Sequence, residues 1–116
     1  MIAQEPIADL KTHQVTNQVP PLLDYNLFDS DPGLQAASTI PGHISSFCAP
    51  TYNTHGTLDP LCPYSQGQEL DDALTSVGVL HTFESYVGGH VYDNVSDADK
   101  AAIRSRILNF MLARLS

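Results

Sequence analysis

The stretch that decides the fold is HGTLDPLCPYSQGQEL, residues 55–70, together with YVGGHVYDN, residues 86–94. In the first stretch an acidic residue, Asp59, stands between a short strand-like run and a segment with helical periodicity. In the second stretch His90 follows two glycines, after a run rich in β-forming residues. A carboxylate and an imidazole in this order raise the question of which third group they serve.

Two strands are predicted in this part of the chain. The segment APTYNTHG, residues 49–56, predicts a short strand near 50–55, although it is polar for a strand of a parallel sheet. The segment VLHTFESYV, residues 79–87, is β-rich and roughly alternating, which predicts a strand near 80–87 with one better-covered face.

A helix is predicted after each strand. The first, near 66–77, has apolar residues at i, i+3, i+4 and i+7; Ser65 is its predicted N-cap and Gly78 its predicted stop. The second, near 97–114, begins after a capping serine, Ser96. Its apolar set is wide for a helix that lies on one surface, so it is either covered on two sides or requires a neighbour. That set is Ile103, Ile107, Leu108, Phe110, Met111, Leu112 and Leu115.

The order β-α-β-α predicts an α/β fold with a right-handed crossover and a parallel strand pair. Residues 1–46 hold five of the eight prolines, which predicts an irregular N-terminal segment or short helices before a folded unit over residues 47–116. A two-stranded sheet has exposed edges. We therefore expect a homo-oligomer, or an N-terminal segment that folds over the sheet.

Charge and composition make some classes of binding partner improbable for this chain. The net charge is −8, and four of the five basic residues lie between Lys100 and Arg114, so no basic surface for nucleic acid is predicted. The start of the chain lacks a signal-peptide pattern and no apolar run approaches a membrane span, so a cytoplasmic location without membrane partners is expected. Cys48 and Cys62 are too few for a disulfide framework and are predicted to be reduced thiols.

The candidate site residues follow consecutive strands. Loops after the carboxyl ends of parallel strands lie together at one edge of the sheet, so Asp59 and His90 are expected to project from the same edge. A carboxylate that accepts a hydrogen bond from one imidazole nitrogen fixes the tautomer and lets the other nitrogen act as a base. His55 with these two residues is weak evidence for a metal site because no tight ligand motif is present. No metal or cofactor is predicted.

These residues resemble the C-terminal part of an α/β-hydrolase of the esterase, dienelactone hydrolase and prolyl-oligopeptidase-like kind. In that family a strand ends in His-Gly-Thr-x-Asp, a turn and a Leu-rich helix follow, and the next strand leads to Gly-His. The resemblance extends over roughly residues 31–116 and is most specific over 55–90. Matched by position, it implies that Asp59 is the triad acid and His90 the triad base of a carboxylic ester hydrolase.

The sequence departs from the family pattern at the nucleophile. No Gly-x-Ser-x-Gly occurs in it, and Ser65 follows the acid, where the family places no nucleophile. The resemblance therefore implies a portion of a serine hydrolase, whose serine comes from another chain or from a preceding segment, and which acts on a small-molecule ester. The alternative is a non-catalytic, hydrolase-derived module for binding or oligomerisation, and the presence of a nucleophile separates the two.

Overall fold

A parallel sheet organises the part of the chain that the computed structural model describes, residues 2–4 and 43–115. Its strand order is β1 (Ile2–Gln4), β2 (Thr51–Gly56) and β3 (His81–Tyr86), so β2 is the central strand. Both strand pairs are parallel. The two predicted strands and their parallel pairing are confirmed.

The first strand was not predicted, because three residues are too short to show strand periodicity. Its pairing joins Ile2 to Tyr52, which lies fifty positions further along the chain. The irregular segment predicted for residues 1–46 falls mostly on residues 5–42, outside the described residues. The domain boundary at 46 stays a prediction.

The predicted helices are present, one after each of the two long strands. Helix α1 spans Tyr64–Ser76 and helix α2 spans Asp97–Leu115. The predicted cap of α1 was wrong: the N-cap is Pro63, and Ser65 lies inside the first turn. Proline at the boundary has a φ of −54°, which its ring imposes. The chain enters the helix without a side-chain cap.

The end of α1 is fixed by the predicted stop residue. Gly78 has a φ of +74°, and its N–H donates to the carbonyl of Thr75 at 3.1 Å. The N–H of Val79 donates to the carbonyl of Leu74, also at 3.1 Å. This pair of bonds is a Schellman motif, and its two apolar members, Leu74 and Val79, are buried in the core with Leu70. The turn that ends the helix thus also places a core residue.

Successive side chains of β2 face opposite sides of the sheet, one side covered by α1 and the other by α2. Asn53 and His55 face α1: the Asn53 amide donates to the carbonyl of Gly67 at 3.0 Å, and the His55 ring lies against the same glycine. Tyr52 faces α2, where its ring meets the edge of Phe110 at 5.3 Å between centroids. All six residues of β2 are buried, as expected of a central strand.

Helix α2 is attached to the sheet by a charged contact and by one buried side chain. Arg106 donates from Nε to Oε1 of Glu84 on β3 at 2.7 Å, and Glu84 also accepts from the hydroxyl of Tyr52. Burial, and then the neighbouring Glu84 carboxylate, raise the pKa of Tyr52 to about 12. Ile103 is buried on the inner side of the helix. The predicted cap is confirmed, since the Ser96 hydroxyl accepts from the N–H of Asp99 at 3.1 Å.

The far side of α2 has apolar residues that nothing in the described part of the chain covers. Four large side chains there are 46% to 82% exposed, those of Leu108, Met111, Leu112 and Leu115. We call these four residues the outer face of α2. The wide apolar set predicted for this helix therefore includes four residues that the described part of the chain leaves exposed. Neither helix within residues 43–115 is both long and apolar enough to cross a membrane.

We predict that Gly67→Ala destabilises the fold, although alanine is the better helix former by about 1 kcal/mol. A Cβ at position 67 would lie 2.8 Å from Nδ1 of His55, whose ring is fully buried and has no space to retreat. We expect the free energy of unfolding in urea to fall by about 1–3 kcal/mol. Gln68→Ala, at an exposed position on the same helix, is the control and should change it by less than about 0.5 kcal/mol. A more stable Gly67→Ala protein would show that this contact is not tight.

Candidate active site

Two loops at the carboxyl edge of the sheet form the candidate site. The hydrogen-bond ladder between β2 and β3 continues into them: the N–H of Thr57 donates to the carbonyl of Tyr86 at 2.9 Å, and that of Leu58 to the carbonyl of Gly88 at 3.0 Å. The loop that carries Asp59 and the loop that carries His90 are therefore held side by side by backbone bonds.

Asp59 has both carboxylate oxygens engaged and a side chain that is fully buried. Its Oδ1 accepts from the N–H groups of Leu61 and Cys62, each at 2.8 Å. Its Oδ2 accepts from Nδ1 of His90, also at 2.8 Å. The turn after Asp59 thus orients the carboxylate, and the second oxygen is left for the imidazole. The predicted juxtaposition of Asp59 and His90 is confirmed, while their catalytic role stays a prediction.

The surroundings of Asp59 favour its charged form. Burial alone raises the pKa of a carboxyl group. At Asp59 the hydrogen bonds from the Cys62 N–H, the His90 ring and the Leu61 N–H outweigh burial, and the pKa lies below its usual value. The site therefore contains an ionised acid against the imidazole at neutral pH.

His90 is placed with one ring nitrogen inside the site and part of the ring in solvent. Its side chain is 37% exposed. Because a carboxylate only accepts hydrogen bonds, Nδ1 is the nitrogen that carries the hydrogen, and the lone pair of the neutral ring is on Nε2. Nε2 lies on the side of the ring away from Asp59. This tautomer is the one that a general base needs.

His55 braces the acid and does not compete with His90 for it. Its Nε2 lies 2.9 Å from the carbonyl oxygen of Cys62, to which it donates, and 3.8 Å from Oδ2 of Asp59. The bond to Cys62 fixes the turn whose N–H groups hold the carboxylate. From the sequence, His55 was weak evidence for a metal site, and its bond to the turn after Asp59 was not predicted.

The remaining candidate residues have structural positions. Cys62, one of the two cysteines predicted to be reduced thiols, is buried in the turn after the acid. Ser65 is exposed in the first turn of α1. Over residues 43–115 no three His, Cys, Asp or Glu side chains are grouped so as to hold a metal ion. The chemistry that this edge of the sheet offers is that of an oriented acid–base pair.

We predict that Asp59 makes stability depend on pH in acid. A carboxyl group whose folded pKa lies below its unfolded pKa stabilises the fold fully above the unfolded value, and this stabilisation is lost as the pH falls through the folded value. Asp59→Asn should therefore lower the free energy of unfolding near neutral pH, and the difference from the unaltered chain should shrink on acidification. Urea unfolding at a series of pH values measures it, with the exposed Asp72→Asn as control. Parallel curves for the unaltered chain and Asp59→Asn would contradict the prediction.

Comparisons with known proteins show which fold the chain has. No protein-family model and no curated protein sequence matches the chain. Its structure is similar to that of an acetyl ester-xyloside bifunctional hydrolase from Caldicellulosiruptor lactoaceticus, with a TM-score of 0.71 and 18% identity over 98% of this chain and 41% of that one. It is also similar to a carboxylesterase from Lactobacillus plantarum, with a TM-score of 0.69 and 14% identity over 98% of this chain and 43% of that one.

An acylaminoacyl peptidase from Pyrococcus horikoshii matches less of the chain, with a TM-score of 0.52 and 18% identity over 78% of this chain and 16% of that one. This chain spans about two fifths of the length of the two esterases. Esterases and a peptidase with this arrangement are α/β-hydrolases by fold. The chain has the α/β-hydrolase fold, over a part of such an enzyme's length.

Proposed function

We propose that this chain supplies the acid and the base of a carboxylic ester hydrolase of the serine type. The observation that carries the proposal is the buried Asp59 carboxylate, with one oxygen on two backbone N–H groups and the other 2.8 Å from Nδ1 of His90. The two backbone bonds are those of an aspartate that caps its own turn, and the bond to His90 is the contact that a turn residue does not need. The substrate is a small-molecule ester, and neither a metal nor a cofactor takes part.

His90 moves the proton in the proposed reaction. As a serine hydroxyl attacks the ester carbonyl carbon, its proton passes to Nε2 of His90, and Asp59 stabilises the imidazolium that results. Collapse of the tetrahedral intermediate breaks the bond to the alcohol, which receives that proton. A water molecule then repeats the sequence on the acyl-serine and releases the acid.

In this proposal the serine comes from a polypeptide segment other than these 116 residues, because they contain no Gly-x-Ser-x-Gly. The same holds for the groups that bind the oxyanion. The esterases of similar structure are whole enzymes of which this chain spans about two fifths, which supports a division of the machinery between segments. An oriented acid–base pair serves esters and amides alike. The ester class is therefore carried over from the two similar hydrolases, whose identities of 18% and 14% do not select among esters.

The test is hydrolysis of a short-chain p-nitrophenyl ester. We expect the purified chain alone to remain near the uncatalysed rate, with no effect of Ser65→Ala. A longer product that includes an in-frame upstream segment with Gly-x-Ser-x-Gly should turn the ester over. In that product Asp59→Asn should lower kcat by roughly 10⁴-fold, and His90→Gln by at least as much. Asp72→Asn is the matched control and should leave kcat unchanged.

Two results would contradict this proposal. One is strong turnover by the chain alone that Ser65→Ala abolishes, since the nucleophile would then lie on α1. The other is full activity of the longer product after Asp59→Asn, since the acid would then be dispensable.

A second candidate function is a non-catalytic module that associates through the outer face of α2. This face leaves four large apolar side chains in solvent, and such patches mark interaction surfaces in soluble proteins. The edge of β3 opposite β2 adds unpaired backbone groups over the described residues. We propose a second copy of the chain as the neighbour in this case.

Light scattering over a range of protein concentrations tests the association. We expect a dimer or higher oligomer that dissociates when Leu108 and Leu112 are both changed to glutamine, because the two lie one turn apart on the outer face. The exposed pair Asp72→Asn and Gln68→Ala on α1 is the control and should leave the mass unchanged. A monomer at every concentration would exclude self-association through α2.

A further inference from the structure

We propose that the hydroxyl group of Tyr86 is the positioning group of His90. It holds a strained turn in the one shape that directs the imidazole at Asp59. Nothing in the acid–base chemistry above assigns a role to this side chain, which does not touch the reacting atoms. The consequence for catalysis rests on the proposed function, whereas the positioning itself does not.

The turn that begins at His90 has an unfavourable backbone. The N–H of Asp93 donates to the carbonyl of His90 at 3.1 Å, so residues 90–93 form a β-turn. Both central residues have positive φ, 49° at Val91 and 62° at Tyr92. Such a turn normally has glycine, asparagine or aspartate at these positions, and a β-branched residue there is an outlier. Strain of this kind persists only where surrounding contacts determine the shape.

Two of the contacts that hold it come from Tyr86. Its hydroxyl accepts from the N–H of Tyr92 at 3.2 Å and donates to the carbonyl of Gly89 at 3.4 Å. One oxygen atom thus joins the residue before His90 to the second central residue of the turn. The Tyr86 ring is buried and lies 4.9 Å from the Tyr92 ring. The bond from the N–H of Gly89 to the carbonyl of Asp93, at 2.8 Å, closes the same loop at its base.

Tyr86 is suited to this task because it belongs to the sheet and not to the loop. It is the last residue of β3 and is paired with Gly56 of the central strand. Its hydroxyl therefore fixes the loop of His90 relative to the sheet. The backbone hydrogen bonds that extend the strand ladder fix the loop of Asp59 in the same way. Without that hydroxyl the strained turn has a route to relax, and the His90 ring would lose its fixed distance to Oδ2 of Asp59.

The experiment observes the His90 ring directly. In a ¹H–¹⁵N spectrum of histidine-labelled chain, the hydrogen-bonded Nδ1 proton of His90, assigned by its loss in His90→Gln, gives a far-downfield signal. We expect Tyr86→Phe to remove this signal or broaden it severalfold. Tyr64→Phe is the matched control, because it removes a hydroxyl that contacts Ser85 on the same strand, and it should keep the signal sharp.

A second variant separates positioning from folding. Asparagine tolerates positive φ, so Val91→Asn reduces the strain that Tyr86 opposes. The double variant Tyr86→Phe with Val91→Asn should recover the His90 signal, whether or not Tyr86→Phe alone folds. In the longer, active product, Tyr86→Phe should lower kcat with little change in KM, and Val91→Asn should restore part of it.

Three results would overturn the positioning role. They are an unchanged His90 signal in Tyr86→Phe, loss of the signal in Tyr64→Phe to the same degree, and a double variant that does not fold. The last would make the hydroxyl a requirement of the fold as a whole. An inactive longer product with an intact, Tyr86-dependent His90 signal would instead contradict the proposed function and leave the positioning role standing.

Discussion

The central strand must bury polar side chains, and much of the structure follows from where their hydrogen bonds go. β2 is fully buried, yet Thr51, Asn53, Thr54 and His55 all carry polar groups. A buried polar group without a partner costs on the order of 1–3 kcal/mol, so each of these residues constrains what surrounds it. Asn53 bonds the backbone of α1 and His55 bonds the turn after Asp59. Polar side chains of β2 therefore hold α1 and the turn after Asp59 in place, and the site depends on them.

Two histidines near one carboxylate have different contacts because their surroundings differ. His55 is fully buried, and its ring donates to a backbone carbonyl, which leaves it at 3.8 Å from the carboxylate. His90 is partly exposed and donates directly to the carboxylate at 2.8 Å. Only the second has part of its ring in solvent. The difference between the two imidazoles is set by burial and by the partner of one ring nitrogen, and not by residue type.

The sequence was sufficient for the features that repeat or that follow from topology. The apolar period of α1, the stop at Gly78 and the strand-end positions of Asp59 and His90 were all predicted from it. The features that it could not predict depend on which backbone groups the fold brings beside each other. β1 is recognisable only by its pairing with β2, and His55 has a defined role only once the carbonyl of Cys62 is placed beside it. The N-cap was misplaced because Ser65 is a residue type that favours the cap position, whereas the helix begins two positions earlier, at Pro63, without a side-chain cap.

The single crossover between β2 and β3 has a consequence for how the site assembles. Asp59 and His90 are 31 positions apart, and closing a flexible loop of that length costs about 3 kcal/mol of chain entropy. The ladder between the two strands already imposes this closure, and it continues into both loops through Thr57 and Leu58. Once the sheet has formed, the two loops start side by side, and only the few residues between Tyr86 and His90 remain to be ordered before the acid and the base meet. Strand pairing thus supplies the long-range closure of the pair, and the turn at residues 90–93 supplies the local one.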